Sequence, residues 1–266
     1  MGTRLHLDKN LAPALAAAGL NSAAGILRLA GDPKATSVVT VVDLPVEGTV
    51  GRFHLKRYQY AGWATAKGLL GRGTFYGTAP EVLEFKNLAF LREKGVPAVR
   101  PIAAVAVTEK GLLKAHALLT EHVPDAPDLA RRLDTPGDPV LSDPRLRRRV
   151  CELIGRIVHR MHTEAFAHRD LFARNVLVRL DEEGEPALWL CDCRRGGPPS
   201  LRWKFEDDLA TLDSDLKGRL SRTDRLRILR AYTGPGDLKG WVKDLAARRE
   251  RLVAERQRRA SSARKA

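Results

Sequence analysis

The sequence predicts an α+β protein in which a small β-rich lobe is followed by a larger, mostly helical lobe. Strand-like segments crowd the first 123 residues, helical periodicity dominates from residue 145 onward, and a Pro- and Asp-rich stretch at 124–144 joins the two parts. With 266 residues, 44% of them hydrophobic, the chain can bury a substantial core. Disordered, collagen-like and repeat architectures are therefore excluded.

The first lobe is expected to span residues 1–123. A short Ala-rich helix and then a strand around Ile26–Leu29 are predicted within residues 11–30. Pro80 begins a helix that ends at Lys94-Gly95, and residues 59–78, which hold five glycines, are expected to form a flexible connection. The remaining strands are predicted at Ser37–Leu44, Val50–Tyr58, Pro101–Thr108 and Leu112–His122.

The second lobe is expected at 124–240, with a basic helical tail at 241–266. An amphipathic helix at Arg145–Glu164 begins it. The strands Val176–Arg179 and Ala187–Cys191 flank a hairpin turn of sequence Asp-Glu-Glu-Gly. The later helices are predicted at 204–217, 222–232 and 237–259.

The charge of the chain suggests an acidic partner without identifying it. Lys and Arg number 46 against 32 Asp and Glu, a net charge of +14, of which residues 245–266 contribute +6. Nucleic acid, an anionic membrane and a phosphorylated glycan all fit this excess. The first ten residues do not resemble a signal peptide, no apolar run approaches membrane-spanning length, and three cysteines do not form a disulfide framework. We therefore expect a cytoplasmic protein.

The segment His168-Arg169-Asp170-Leu171-Phe172-Ala173-Arg174-Asn175 carries the clearest chemical signal. An Asp and an Asn five positions apart on a tight loop suit phosphoryl transfer, because Asp170 can accept the proton of an attacking hydroxyl while Asn175 ligates a metal ion that bridges nucleotide phosphates. His168 and Arg169 would hold the shape of the loop. A charged surface loop is the alternative, but the fixed residue types at fixed spacing favour a catalytic loop.

A second carboxylate extends this pattern. Asp192 directly follows a predicted strand, and sixteen residues separate it from Asn175 across the hairpin. A carboxylate at that position can complete a Mg²⁺ site, although a lone Asp after a strand is more often a turn residue. Cys191 and Cys193 have no second Cys or His pair nearby, so they are interpreted as core thiols rather than zinc ligands.

Lys56 lies on a predicted strand and can bind phosphate as a point charge. Its orienting partner would be a carboxylate on the next helix, with Glu84 as the first candidate and Glu81 one turn earlier. Each residue alone is a weak signal, because strand Lys and helix Glu residues are usually solvated. Their order along the chain, Lys, Glu, the loop Asp and Asn, and then Asp192, gives them weight.

Together these stretches resemble the protein-kinase-like superfamily, and specifically the lipopolysaccharide core kinases that phosphorylate heptose or Kdo sugars. The resemblance covers about residues 20–235 and implies a bilobal protein-kinase-like fold. The segments that carry it are Leu55–Tyr58, Leu83–Phe85 through Pro97, Leu118–Glu121, His168–Asn175, Cys191-Asp192 with Arg195-Gly196, and Asp208–Leu212.

The resemblance implies an ATP-dependent, Mg²⁺-requiring sugar kinase. In the first lobe Lys56 would bind phosphate, Glu84 would pair with it, and the backbone from Glu121 to Val123 would receive adenine. In the second lobe Asp170 would be the base, and Asn175 and Asp192 would hold the metal. Asp208 would brace the catalytic loop together with His168 and Arg169.

Two departures from protein kinases bear on the substrate. No G-x-G-x-x-G precedes Lys56, and only the loop Gly31–Thr36 stands where a phosphate-covering turn is expected. Asp208 follows Asp192 by sixteen positions with no Ala-Pro-Glu between them, which leaves too little chain for a peptide platform. Only one feature, Arg174 four residues after Asp170, resembles the catalytic loop of tyrosine kinases. A sugar acceptor is therefore favoured over a peptide.

The predicted function is transfer of the ATP γ-phosphate to a hydroxyl of lipopolysaccharide or another anionic glycan or small-molecule acceptor. The alternatives are a protein kinase, a catalytically weak pseudokinase and a nucleic-acid-binding module. Nucleic acid ranks last, because no binding motif is found and aromatic residues make up only 6% of the chain. The basic tail suggests peripheral contact with an anionic membrane, such as the inner membrane face.

Overall fold

The structure is a computed structural model that describes residues 2–29, 37–46, 49–60, 79–198, 203–236 and 238–263. The chain divides into two compact units. The first unit comprises Met1–Arg92 and Val99–Pro124, and the second comprises Glu93–Ala98 and Asp125–Ala266. The loop Gly31–Thr36 and nearly all of the connection predicted at 59–78 lie outside the described residues.

The first unit is built on an antiparallel five-stranded sheet, which the described residues form in the order β1-β4-β5-β3-β2. Its strands are β1 (Gly2–Leu7), β2 (Ser37–Val46), β3 (Thr49–Gln59), β4 (Pro101–Glu109) and β5 (Leu112–Glu121). Its helices are α1 (Ala12–Ala17), α2 (Ala23–Arg28) and α3 (Pro80–Glu93). Strand β3, which carries Lys56, lies between β2 and β5 and is therefore an inner strand of the sheet.

Two apolar clusters cover opposite faces of this sheet, because side chains alternate along each strand. On one face Leu55 and Leu119 pack with Ile26 of α2. On the other face Leu118 packs with Val82 of α3. Lys56 follows Leu55 and therefore points to the face that α3 covers.

The strand predicted at Ile26–Leu29 is wrong, because these residues fall in and just after helix α2. The side chain of Ser22 accepts a hydrogen bond from the backbone N–H of Gly25 at 3.1 Å and caps the helix. Gly25 lies so close to the carbonyl of Gly19 that an added Cβ would overlap it. A short apolar run does not distinguish strand from helix, and here the cap decides.

The second unit is mostly helical, with one two-stranded hairpin among the described residues, and the predicted α+β class is confirmed. The hairpin strands are β6 (Val176–Leu180) and β7 (Pro186–Leu190). The helices are α4 (Leu129–Asp134), α5 (Pro139–Ser142), α6 (Pro144–Thr163), α7 (Trp203–Leu216), α8 (Arg222–Thr233) and α9 (Leu238–Ala263). Helix α6 packs along α8, and α9 packs against α7.

The Pro- and Asp-rich stretch at 124–144 contains helices α4 and α5 as well as the start of α6. Asp128, Asp138 and Asp143 each accept backbone N–H groups and cap α4, α5 and α6 respectively. Residues that are typical of loops therefore begin helices here. None of the helices that the structure describes is long and apolar enough to cross a membrane.

Candidate active site

In the first unit, Lys56 and Glu84 form an ion pair. The Nζ atom of Lys56 on β3 lies 2.9 Å from Oε1 of Glu84 on α3, whose side chain is 2% exposed. The pair forms because β3 and the buried side of α3 face each other. An ammonium group held in this way is positioned to bind a phosphate oxygen as a point charge.

Glu81, the other candidate partner for Lys56, instead contacts His116. Both side chains are 2% exposed, and Nδ1 of His116 bonds to the Glu81 carboxylate. The hydroxyl of Tyr60 lies 2.9 Å from Nε2 of the same ring, and Tyr58 stacks on it with centroids 5.0 Å apart. Sequence reasoning missed His116, although its place opposite Tyr58 in the β-register follows from the two strands. Helix α3 is thus attached to the sheet at two points one turn apart.

The segment predicted to receive adenine follows the end of β5. The Glu121 carboxylate accepts the backbone N–H of Arg100 at 2.7 Å, which fixes this side chain to the neighbouring segment. His122 donates its backbone N–H to the carbonyl of Arg52 at 3.0 Å. Val123 is buried, and its backbone makes no hydrogen bond within the described residues.

In the second unit, Asp208 fixes the predicted catalytic loop, His168–Asn175. Its carboxylate, 1% exposed, accepts the backbone N–H groups of His168 at 2.6 Å and Arg169 at 2.7 Å. Arg169 has a φ of +63°, a left-handed conformation that costs a non-glycine residue about 1–2 kcal/mol. These charge-assisted hydrogen bonds offset that strain, because both donors belong to the strained turn.

His162 and Tyr232 extend this network, and sequence reasoning missed both. Nε2 of His162 lies 3.3 Å from Asp208, and its Nδ1 lies 3.0 Å from the Tyr232 hydroxyl. Only the fold brings α6, α7 and α8 together around His162. Helix periodicity, which places it on the apolar side of α6, was the available signal.

His168 joins the loop to the end of β7. Its side chain is fully buried, and its Nε2 lies 3.1 Å from the Cys191 carbonyl. Burial lowers the pKa of this imidazole below 6.5, against the opposing influence of Asp208. The neutral ring, with its proton on Nε2, therefore donates to the carbonyl.

Asp170 and Asn175 are connected directly. Nδ2 of Asn175 donates to the backbone carbonyl of Asp170 at 2.7 Å, and a 3₁₀ turn at Ala173–Asn175 brings them together. Arg174 lies 3.3 Å from the Asp170 carboxylate, which remains 20% exposed. The backbone N–H of Ala173 donates to Asp215 at 2.8 Å. The loop is thereby fixed while the Asp170 carboxylate stays accessible.

The hairpin places Asp192 beside Asn175. Val176 pairs with Leu190 in the register, and the N–H of Cys191 donates to the Asn175 carbonyl at 3.0 Å. Asp192 then takes a φ of +53°, a second strained non-glycine residue in this region. No group of three or more His, Cys, Asp and Glu residues in the described part of the chain could hold a metal ion. An amide oxygen and one carboxylate are nevertheless the oxygen donors that Mg²⁺ prefers when phosphates and water complete its shell.

Residues 72–232 match the model of the lipopolysaccharide kinase (Kdo/WaaP) family. A 3-deoxy-D-manno-octulosonic acid kinase of Xylella fastidiosa is 30% identical over 199 residues, which cover 70% of this chain and 73% of that protein. An enzyme of the same name from Stenotrophomonas maltophilia is 33% identical over 157 residues, 56% of this chain and 57% of its own length.

A solved structure, described as WaaP in complex with acyl carrier protein, resembles this one with a TM-score of 0.64. The match covers 94% of this chain and 99% of the WaaP chain, and the two sequences are 19% identical. At this identity the likeness establishes the fold, which is the protein-kinase-like fold predicted from the sequence.

Proposed function

Because the chain belongs to the lipopolysaccharide kinase (Kdo/WaaP) family, and is therefore a phosphotransferase that acts on a hydroxyl group, we propose that it transfers the γ-phosphate of ATP to a sugar of the lipopolysaccharide core. The acceptor is 3-deoxy-D-manno-octulosonic acid (Kdo) rather than heptose, which the names of the sequence relatives support. The observation that carries the proposal is the Asp170–Asn175 loop, bound to the buried carboxylate of Asp208.

Asp170 is the catalytic residue of this proposal. Its carboxylate orients the acceptor hydroxyl and accepts its proton as the oxygen attacks the γ-phosphorus. The contact with Arg174 restrains one carboxylate oxygen at 3.3 Å, while the accessible part of the group faces solvent. Proton transfer to a carboxylate fixed in this way needs little reorganisation of the loop.

The first unit supplies the nucleotide-binding groups. Lys56 binds the α- and β-phosphates, and Glu84 holds its ammonium group in place. The backbone of Val123, with no hydrogen bond among the described residues, receives the adenine edge. The Glu121 carboxylate stabilises this segment by accepting the backbone N–H of Arg100.

The second unit supplies the metal ligands. The Asn175 amide donates through Nδ2 to Asp170, which directs Oδ1 away as a metal ligand. Asp192 provides the carboxylate. Asn175 and Asp192 would hold Mg²⁺, which would supply positive charge to balance the nucleotide phosphates.

The proposal is tested by incubating the purified chain with radiolabelled ATP, Mg²⁺ and three acceptors: a Kdo-terminated core oligosaccharide, a heptose-terminated one and a mixed peptide library. We expect label on the Kdo-terminated acceptor and loss of about 10³-fold or more of the rate in Asp170→Asn. Asp244→Asn, an exposed position on α9, is the matched control and should be unaffected. Label on peptide alone, or equal rates in Asp170→Asn and Asp244→Asn, would overturn the proposal.

We also propose that the reaction takes place in the cytoplasm, the compartment of ATP, with the chain in peripheral contact with the anionic membrane face. Residues 256–266, which contain five Lys and Arg and no Asp or Glu, support this contact. The chain should sediment with vesicles that contain phosphatidylglycerol and remain in solution with purely zwitterionic ones. Equal binding to both would contradict an electrostatic contact.

A further inference from the structure

A cavity of about 840 Å³ lies within the second unit, beside Asp170. Its volume falls within the about 300–1,000 Å³ that is typical of small-molecule sites. The catalytic loop and helix α7 contribute to its lining, and so does one side of α9, through Arg251, Leu252 and Glu255. The family match ends at residue 232, so α9 lies outside the segment that identifies the family.

Helix α9 is fixed to the rest of the unit just before it reaches the cavity. Arg248 pairs with Asp207 at 2.5 Å, and Arg249 pairs with Asp213 at 2.7 Å. All four of these side chains are less than 20% exposed, and Leu245 one turn earlier is buried. Arg251 and Glu255 follow within two turns, four positions apart and hence on the same side of the helix. The helix is therefore a fixed wall of the cavity.

The charged side chains of the cavity divide into two groups. Arg248 and Asp207 bind each other, Arg174 contacts Asp170, Arg169 donates to the Pro198 carbonyl, and Asp208 is satisfied by backbone N–H groups. A second group lines the cavity without any hydrogen bond or ion pair to other described residues, and its members are Arg195, Glu206, Arg251 and Glu255. Two guanidinium groups and two carboxylates thus face the space beside the proposed base.

This combination fits one class of ligand better than others. A guanidinium binds a carboxylate or phosphate in bidentate fashion, whereas carboxylates accept hydrogen bonds from hydroxyl groups. A purely anionic ligand would meet repulsion from Glu206 and Glu255, and a neutral sugar would leave the two arginines without an anion. A sugar acid offers one anionic group and several hydroxyls, and satisfies both pairs.

We infer that helix α9 forms the acceptor-binding wall of the active site, with Arg251 and Arg195 binding the acceptor's anionic group and Glu255 accepting hydrogen bonds from its hydroxyls. The inference rests on the proposed function, since the acceptor must present a hydroxyl to Asp170. Arg251 is thereby a specificity-determining residue on a helix outside the family match.

The experiment compares Arg251→Ala, Arg251→Lys and the control Arg230→Ala, an exposed arginine on α8 that does not line the cavity. With the Kdo-terminated oligosaccharide, Arg251→Ala should raise the acceptor KM about tenfold or more, while the ATP KM and the melting temperature stay unchanged. Arg251→Lys keeps the positive charge but not the bidentate guanidinium geometry, so its acceptor KM should lie between those of the wild type and Arg251→Ala.

A second acceptor isolates the anionic group. When the carboxylate of the Kdo residue is reduced to an alcohol, the wild-type KM should rise, and wild type and Arg251→Ala should become equal. An undiminished Arg251→Ala effect on the reduced acceptor, or equality of Arg251→Ala and Arg230→Ala on the native one, would overturn the inference. Absence of transfer by the wild-type chain to any glycan would instead refute the proposed function.

Discussion

Replacement of Asp208 by Asn tests how the catalytic loop is held. The carboxylate accepts two backbone N–H groups, at 2.6 and 2.7 Å, and is 1% exposed. An amide has only one acceptor oxygen, so whichever way it faces, its NH₂ group meets a backbone donor. The substitution loses one hydrogen bond to a charged group, about 1.5–3 kcal/mol, and leaves a buried donor unsatisfied at about 1–3 kcal/mol. We expect a combined loss of about 3–5 kcal/mol in the free energy of unfolding.

Thermal unfolding followed by circular dichroism measures this loss. For a chain of this size, about 2–4 °C per kcal/mol converts it to a fall of about 6–20 °C in melting temperature. The turnover number should fall as well, because Arg169 and Asp170 lose the anchor of their turn. Asp244→Asn makes the same chemical change at an exposed position and should leave both quantities unchanged. A melting temperature of Asp208→Asn within about 1 °C of that control would refute the reasoning.

Two further predictions concern the proposed ATP site and the dependence on pH. Glu84→Gln should raise the ATP KM about tenfold, because the Lys56 ammonium loses its charged partner. The control Glu93→Gln, at an exposed position of α3, should leave the ATP KM unchanged. Steady-state kinetics with varied ATP measures both values. The pKa of His168 is lowered by burial, so below pH 6.5 the unfolded chain takes up a proton that the folded chain refuses. The contribution of His168 to the free energy of unfolding is complete above pH 6.5 and falls on acidification by up to about 1.4 kcal/mol per pH unit. Urea titrations of the wild type and of His168→Gln between pH 7 and pH 5 measure this fall. If the free energy of unfolding of the wild type falls no more steeply with pH than that of His168→Gln, the prediction is contradicted.

The residues that sequence could place are those whose geometry is local. Asp170 and Asn175 share one loop, and a single hairpin connects Asn175 to Asp192, so spacing alone brings their backbones together. The prediction of the fold class depended in the same way on the order of periodic segments. It is confirmed because strands and helices are concentrated in different parts of the chain.

The residues that sequence could not place act through contacts distant in the chain. His116 and His162 are single histidines with no motif around them, and their partners Glu81 and Asp208 lie 35 and 46 positions away. Nothing local distinguishes a buried, bonded histidine from a surface one. Tertiary packing supplies that information, and it is absent from spacing and periodicity.

Short helices were also missed, for a different reason. Asp128, Asp138 and Asp143 occur in a stretch with many prolines, and the same residue types favour turns and helix N-caps. Helices α4 and α5 are too short to show a hydrophobic period, so the cap residue was the available signal. The sequence pattern was therefore ambiguous between a loop and successive helix starts.

The Lys56–Glu84 ion pair and the Glu81–His116 contact, which attach α3 to the sheet, have a consequence for regulation. Rotating or withdrawing the helix would break Lys56–Glu84 and Glu81–His116 together. If breaking both contacts costs about 4 kcal/mol, the displaced state is populated by about one molecule in a thousand. At that population helix α3 stays docked on the sheet and does not act as a regulatory switch. The rate of such an enzyme then depends on the supply of its substrates. Hydrogen exchange should accordingly show α3 amides as slow without nucleotide as with it, and a large protection on adding nucleotide would contradict constitutive engagement.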